Sequence, residues 1–337
     1  MYKLKQIPED FIVKEISNLK LENSGKYLYF KLKKKERNTM DAIKEIAKKL
    51  NIREKNIGFA GSKDRQAVTE QLISIFGKSK ESVLTTKINN VSLEYLGNAH
   101  QPISLGDLEG NYFEIVVRDL DETINIDDKI KLIPNYFDEQ RFSQNNVKIG
   151  KHLLKKEFKE ALVLIDNHYS NQHLNNIPND FIGALNKMPS RLLRIYINAY
   201  QSYLWNETLR IYLEKNETIT KTVKYSLSSF AFVENKDLFE DLKIPIVGFN
   251  NDLIEGEFFE IIKSLMDKES ITYKDFIIRQ MPELSLEGEF RKAFVEIKGL
   301  NIGAFESDEL NPGKHKVKII FSLPKGSYAT MVMRALF

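Results

Sequence analysis

Residues 57–71 read "IGFAGSKDRQAVTEQ". The stretch opens apolar, passes through Gly58 and Gly61, and sets Lys63, Asp64 and Arg65 side by side. A glycine-broken strand thus runs into a carboxylate held between two cations. Only two residues separate the glycines, and no serine or threonine follows Lys63, so this is not a phosphate loop that holds nucleotide and magnesium. Two readings remain. Asp64 caps a solvated turn, or it is a carboxylate kept for chemistry, with glycines letting a bulky substrate approach the backbone and cations able to grip phosphates.

Working outward, the flanking segments alternate. In "KYLYFKLKK" (26–34), Leu28, Phe30 and Leu32 point one way and Tyr27, Tyr29, Lys31 and Lys33 the other. The first set suits a core; the second mixes aromatics and cations as a nucleic-acid platform would. A helix is expected over about 39–50, with Ile43, Ile46, Ala47 and Leu50 on one side. Further strands are expected at 71–76, 91–96 and 112–118, the last with Phe113, Ile115 and Val117 on one face.

After the turn-rich loop 132–147 the period becomes helical. Leu154, Phe158, Ala161 and Ile165 form one stripe, Leu192, Tyr196, Ala199 and Tyr203 a second, and Ile254, Phe258, Ile261 and Leu265 a third. Alternation returns at 316–323, where Val317, Ile319, Phe321 and Leu323 share a face, and such a strand would most simply rejoin the N-terminal sheet. The chain reads as an α+β protein: a mixed sheet interrupted by a mainly helical insertion.

Composition narrows the function. The 337 residues are 42% hydrophobic and 29% charged, as in an ordinary soluble protein. No run is long and apolar enough for a membrane span, and the N-terminus lacks a signal-peptide core, so a cytoplasmic location is expected. The absence of cysteine excludes disulfides, thiolate metal sites and cysteine nucleophiles. Histidines 100, 152, 168, 173 and 315 show no metal-ligand spacing, and the serines of "SLPKGSYAT" (322–330) have no base or elbow beside them. Net charge is only +3, yet residues 1–57 hold 15 Lys/Arg against 8 Asp/Glu, while 250–289 hold 4 against 10. Either one part of the surface faces a polyanion, or both segments are merely solvated faces, the reading that charge alone favours.

The central stretch resembles the signature "GxAGxKDxxAVTxQ" of the TruD family of tRNA pseudouridine synthases. "IPEDFIVKEI" (7–16), "LGDLEGNYFEIVVRDL" (105–120), "IPNYFDEQRFS" (133–143), "AYQSYLWN" (199–206) and "LPKGSYATMVMRAL" (323–336) resemble that family's other motifs, in order. Asp138 and Ser143 depart from it where glycines are common. The resemblance implies a pseudouridine synthase mixed-sheet catalytic domain, residues 1–148 and 289–337, around a TRUD insertion domain, residues 149–288. It implies isomerisation of a tRNA uridine, at position 13, with Asp64 as the catalytic carboxylate. By the same matching Phe113 would stack on the target base, Asn111 would fix local geometry, and Lys5 would lie near the carboxylate. Lys63 and Arg65 would supply its charge environment and phosphate grip.

Pseudouridine formation breaks the N1–C1′ bond, turns the base and rejoins it through C5. Every product atom comes from the substrate, so neither cofactor nor metal is expected, and tRNA is the expected partner. Water must be kept out while the base is detached, and the base must first be flipped from the folded RNA. An RNA-binding or chaperone protein on the same scaffold, without isomerase activity, is the alternative; it has no need of Asp64. A nucleoside hydrolase would need a water-activating base or an Asp cluster that the sequence does not offer.

Overall fold

The computed structural model describes residues 2–121, 126–143, 145–234, 239, 241–250 and 256–337. In chain order the elements begin with β1 (Phe11–Ile16), β2 (Tyr27–Lys35), α1 (Thr39–Leu50), β3 (Ile57–Phe59), β4 (Val68–Phe76), α2 (Lys80–Leu84), β5 (Val91–Ala99) and β6 (Gly110–Leu120). Then come β7 (Leu132–Pro134), α3 (Asn146–Leu154), α4 (Phe158–Ile165), α5 (His168–Asn176), α6 (Phe181–Leu185) and α7 (Ser190–Asn216). They are followed by β8 (Ile219–Lys224), β9 (Ser229–Val233), β10 (Lys243–Ile246), α8 (Glu257–Lys268), β11 (Glu289–Lys292) and β12 (Phe294–Glu296). The chain ends with β13 (Lys298–Ser307), β14 (His315–Pro324) and α9 (Ala329–Leu336).

These elements gather into two compact units, one of residues 1–131, 296–329 and 336–337, the other of 132–295 and 330–335. The first break falls ahead of residue 148 because the "IPNYF" segment folds within the second unit. There the buried Tyr136 hydroxyl donates to the Ala231 carbonyl at 3.2 Å, and the Phe137 amide donates to Asn206 Oδ1 at 2.9 Å.

The first unit is a mixed sheet in the order β13-β14-β6-β1-β4-β2-β5, with β3 beside β4. Only the β1–β4 pair on this path is parallel. The late strand does rejoin the early ones, β14 pairing antiparallel with β6. Period-2 geometry fixes which side chains share a face. Leu28, Phe30 and Leu32 of β2 align with Ile75, Ile73 and Gln71 of β4, and α1 covers this apolar set with Ile43, Ile46, Ala47 and Leu50. Helix α1 spans the expected residues; Asn38 caps its start, and Asn51, at a φ of 52°, turns the chain out of it.

The opposite face of β2 is not an open platform. Tyr29 is buried and donates to the Gln101 carbonyl, while Tyr27 packs on Phe76. Lys31 and Lys33 are paired with Glu94 and Glu70 at 3.0 and 3.4 Å. The cations are neutralised across the strand pairs, which single-strand alternation cannot show.

The second unit is mainly helical, around the long α7. Its core stripe is Leu193, Ile197, Tyr200 and Leu204, one residue on from the stripe expected; Leu192, Tyr196 and Tyr203 are half-buried beside it. The stripe through Leu154 and Ile165 is broken into α3 and α4 by Lys156, at a φ of 62°. Of the third stripe, Ile254 lies outside the described residues, and α8 buries Ile261 with Phe259, Ile262 and Met266. The β8–β9 hairpin and the antiparallel β10–β11 pair, which closes across α8, have no counterpart in the helical periodicity.

Candidate active site

Every expected site residue lies in the first unit. The loop between β3 and β4 carries Lys63, Asp64 and Arg65, and the start of α1 and the ends of β2 and β4 pin it. Thr39 Oγ1 accepts the Lys63 amide at 3.0 Å and donates to Gln71 Oε1, also at 3.0 Å. Gln71 Nε2 in turn donates to the Gly61 carbonyl at 3.0 Å. Beneath the loop, the Lys34 ammonium donates to the carbonyls of Arg37 at 2.7 Å, Asp64 at 2.8 Å and Lys63 at 3.3 Å. Lys34 is only 1% exposed. Burial draws its pKa down from 10.5 to about 8; the Asp64 charge opposes that shift, and Lys63 adds to it.

The two glycines have different causes. A Cβ on Gly58 would stand 2.2 Å from the Ile103 carbonyl oxygen, so packing alone requires glycine there. A Cβ on Gly61 would meet nothing within 4 Å.

Asp64 is half-buried, and its Oδ2 accepts from Lys5 Nζ at 2.8 Å. The same ammonium lies 4.0 Å from the centre of the Phe11 ring, a cation–π contact. Lys5 adopts a φ of 56°, which costs a non-glycine residue about 1 kcal/mol. Its neighbours hold it there: Lys3 bridges to Arg118, and the Asp10 carboxylate accepts the Ile7 amide at 3.0 Å. Asp10 is itself fixed by the buried Arg118, whose Nε lies 2.9 Å from it; the other guanidinium nitrogens reach Asp308 at 2.8 Å and Glu309 at 3.0 Å. Burial would raise the Asp308 pKa, but hydrogen bonds from the Asp119 amide, Asn311, the Leu310 amide and Arg118 hold it well below the carboxylate range.

Lys63 points the other way from solvent. Its ammonium forms an ion pair with Glu15 at 3.0 Å, the two side chains 6% and 1% exposed, and donates to Asn111 Oδ1 at 2.7 Å. Glu15 and Asn111 are cross-strand partners on β1 and β6. This arrangement leaves exposed Arg65 as the cation of the loop that faces solvent. Phe113 is 6% exposed, stacked on Phe321 at 5.3 Å and edge-on to Phe11 at 6.2 Å. It shares its face of the sheet with Asn111, two residues away, so the apolar floor and the Lys63–Glu15 pair adjoin.

Sequence reasoning missed Lys34, Glu15, Thr39 and Gln71 as parts of the site. A signal existed for Lys34: it is in phase with Leu28, Phe30 and Leu32, so the alternation itself places it on the apolar face. Among the described residues no group of three or more His, Cys, Asp or Glu is placed to hold a metal ion, and no helix is long and apolar enough to cross a membrane.

A family model described as tRNA pseudouridine synthase D (TruD) matches residues 2–172 and 164–336. A Methanococcus maripaludis protein named "Probable tRNA pseudouridine synthase D 1" is 33% identical, the alignment covering 99% of both chains. An Aquifex aeolicus tRNA pseudouridine synthase D is 31% identical over 99% of this chain and 98% of its own. Among solved structures, a TruD chain from Methanosarcina mazei superposes with a TM-score of 0.72 at 26% identity, covering 99% of this chain and 93% of that one. The chain therefore belongs to the TruD family, the tRNA pseudouridine synthases D.

Proposed function

We propose that this protein isomerises uridine 13 of tRNA to pseudouridine, and that Asp64 is the carboxylate that acts on the sugar. The observation carrying this reading is the Asp64 loop itself. A carboxylate is held by a ring of buried polar anchors, kept partly open to solvent, and faced by a single ammonium at 2.8 Å. A capping aspartate would need none of these anchors. The unfilled space at Gly61 supports the same reading, since nothing within the protein requires a glycine there.

In the reaction the N1–C1′ bond breaks, the uracil turns, and C5 bonds to C1′; the C5 hydrogen leaves to solvent as a proton and N1 takes one up. Asp64 stands at the sugar for either entry, attack at C1′ or proton removal at C2′. Lys5 orients it, and Lys63, tied to Glu15 and Asn111, sets the inner wall. Phe113, with Phe11 and Phe321, gives an apolar floor that excludes water around the detached base. Arg65 is the loop's phosphate contact.

The test is Asp64→Asn, which keeps size and an acceptor but loses the charge. The half-exposed Lys5 pair contributes at most about 1 kcal/mol, so the variant should fold and bind tRNA. Tritium release from tRNA labelled at uridine C5, with enzyme in excess, should be undetectable. Substantial release would sink the role of Asp64. Binding without release by the wild-type protein would favour an RNA-binding scaffold instead.

A further inference from the structure

The positive surplus of residues 1–57 has to sit somewhere, and the faces already described do not carry it. Lys3, Lys5, Lys14, Lys31, Lys33, Lys35 and Arg37 are each within ion-pair distance of a carboxylate. Part of the remainder lies on α1, where it is joined by two lysines from beyond residue 57, Lys78 and Lys87, in the same unit. Lys44 and Lys48 lie on the exposed side of α1, with no carboxylate partner among the described residues. An open cavity of about 570 Å³ lies between the C-terminal turn of α1 and α2.

Lys49, Lys78 and Lys87 line that cavity, with Ser82, Thr85 and Thr86, and no carboxylate lines it. Lys49 donates to the Lys87 carbonyl and lies 3.9 Å from the Glu45 carboxylate, so Lys78 and Lys87 are the cavity's uncompensated ammonium groups among the described residues. The hydroxyls are directed as well. Ser82 donates to the Ser79 carbonyl at 2.8 Å, Thr85 to Glu81 at 3.0 Å and Thr86 to Ser82 at 2.9 Å. Their hydrogens are spent on their own backbone, so what they present outward is lone pairs. The cavity therefore offers ammonium donors for a phosphate and hydroxyl acceptors for a sugar 2′-OH, the pairing that an RNA strand supplies.

We infer that this cavity binds the phosphodiester backbone of the substrate RNA, away from the reacting uridine. The inference rests on the tRNA reading of Asp64. Helix α1 links the two places: Thr39 at its first turn anchors the Lys63 amide, and Leu50 at its end lines the cavity. Twelve helical residues set them on the order of 18 Å apart on one rod. A folded RNA reaching Asp64 would meet the cavity with a neighbouring part of its backbone.

The experiment compares Lys78→Glu/Lys87→Glu with wild type and with Lys31→Glu/Lys33→Glu on the neutralised strand face. tRNA affinity is measured across a salt series, and C5 tritium release is followed with enzyme saturating. The cavity variant should bind about tenfold or more weakly near 0.1 M salt, with its log–log salt slope flattened by roughly 1.4–1.8, the value for two lost phosphate contacts. Its release rate at saturating enzyme should stay within about twofold of wild type, because the chemistry lies elsewhere. A Lys78→Gln/Lys87→Gln pair should give the same direction of change, which guards against misfolding of the reversed variant. A wild-type slope in both cavity variants, or an equal loss in the strand-face variant, would overturn the proposal while leaving Asp64 untouched. Saturable binding of inorganic phosphate that the cavity variants abolish, with the tRNA slope unchanged, would assign the cavity to a free anion and equally overturn it. A wild-type protein that neither binds nor isomerises tRNA would bring down both readings.

Discussion

Lys34 shows how much one side chain can decide. Its ammonium is the only group that touches both Asp64 and Lys63 carbonyls from beneath the loop among the hydrogen bonds of the described residues. Its depressed pKa separates stability from activity. The folded group releases its proton near pH 8, while an unperturbed lysine keeps it to about 10.5. Between those values the unfolded chain binds more protons, so this group makes the fold more stable as pH rises. Activity should move the opposite way, because a neutral amine grips the loop carbonyls less strongly. Single-turnover isomerisation should decline above about pH 8 with no fall in Tm. Lys34→Met should be slower by about 10- to 100-fold and lack that alkaline limb. An unchanged limb in the Met variant would show that another group titrates there. This residue was legible only in part: its phase placed it inward, but a lysine on an apolar face gives no hint of the three carbonyls that receive it.

At the scale of elements, β6 carries the floor of the site between β1 and β14. Alternation revealed β6 and β14, and even the side on which Phe113, Ile115 and Val117 lie, but β1 is not among the expected strands. What a local pattern cannot supply is the neighbour. Lys5 meets Asp64 across 59 positions and Lys63 meets Asn111 across 48, and both meetings depend on strand order and register. The same blindness made the basic face of β2 look free, when Glu70 and Glu94 stand opposite it. It also shifted the α7 stripe by one residue, because half-buried tyrosines look as apolar as the leucines beside them. Phe113 can be tested with this packing in mind. Truncation to Ala would remove a ring wedged between Phe11 and Phe321 and destabilise by about 3–5 kcal/mol. Phe113→Leu keeps most of the bulk, so it should fold, bind tRNA nearly as tightly as wild type, and turn over about tenfold or more slowly through lost stacking. Wild-type turnover in the Leu variant would mean that bulk alone is needed at this position.

At the scale of the whole chain, residues from both ends complete one unit. Arg118 joins Asp10 to Asp308, and β14 fills the open side of β6 along nearly its full length. A chain cut after residue 295 loses β13, β14 and α9, and with them the Asp308 anchor behind Lys5. Its β6 amides should lose hydrogen-exchange protection, while α3 and α7, which pack within the other unit, should keep theirs. Isomerisation should be absent. Full β6 protection in the shortened chain would show that β14 is dispensable to the sheet.

The pairing of β6 with β14 also sets a timetable for biosynthesis. Leu120 leaves the ribosome well before His315, and at typical elongation rates the interval is roughly 10–40 s. For that time the nascent β6 presents unsatisfied amides and carbonyls to any strand it meets. The unit begun first is finished only after residues 132–295 of the other unit have been synthesised. A slow ribosome or a prematurely released chain would therefore leave a half-sheet prone to aggregate.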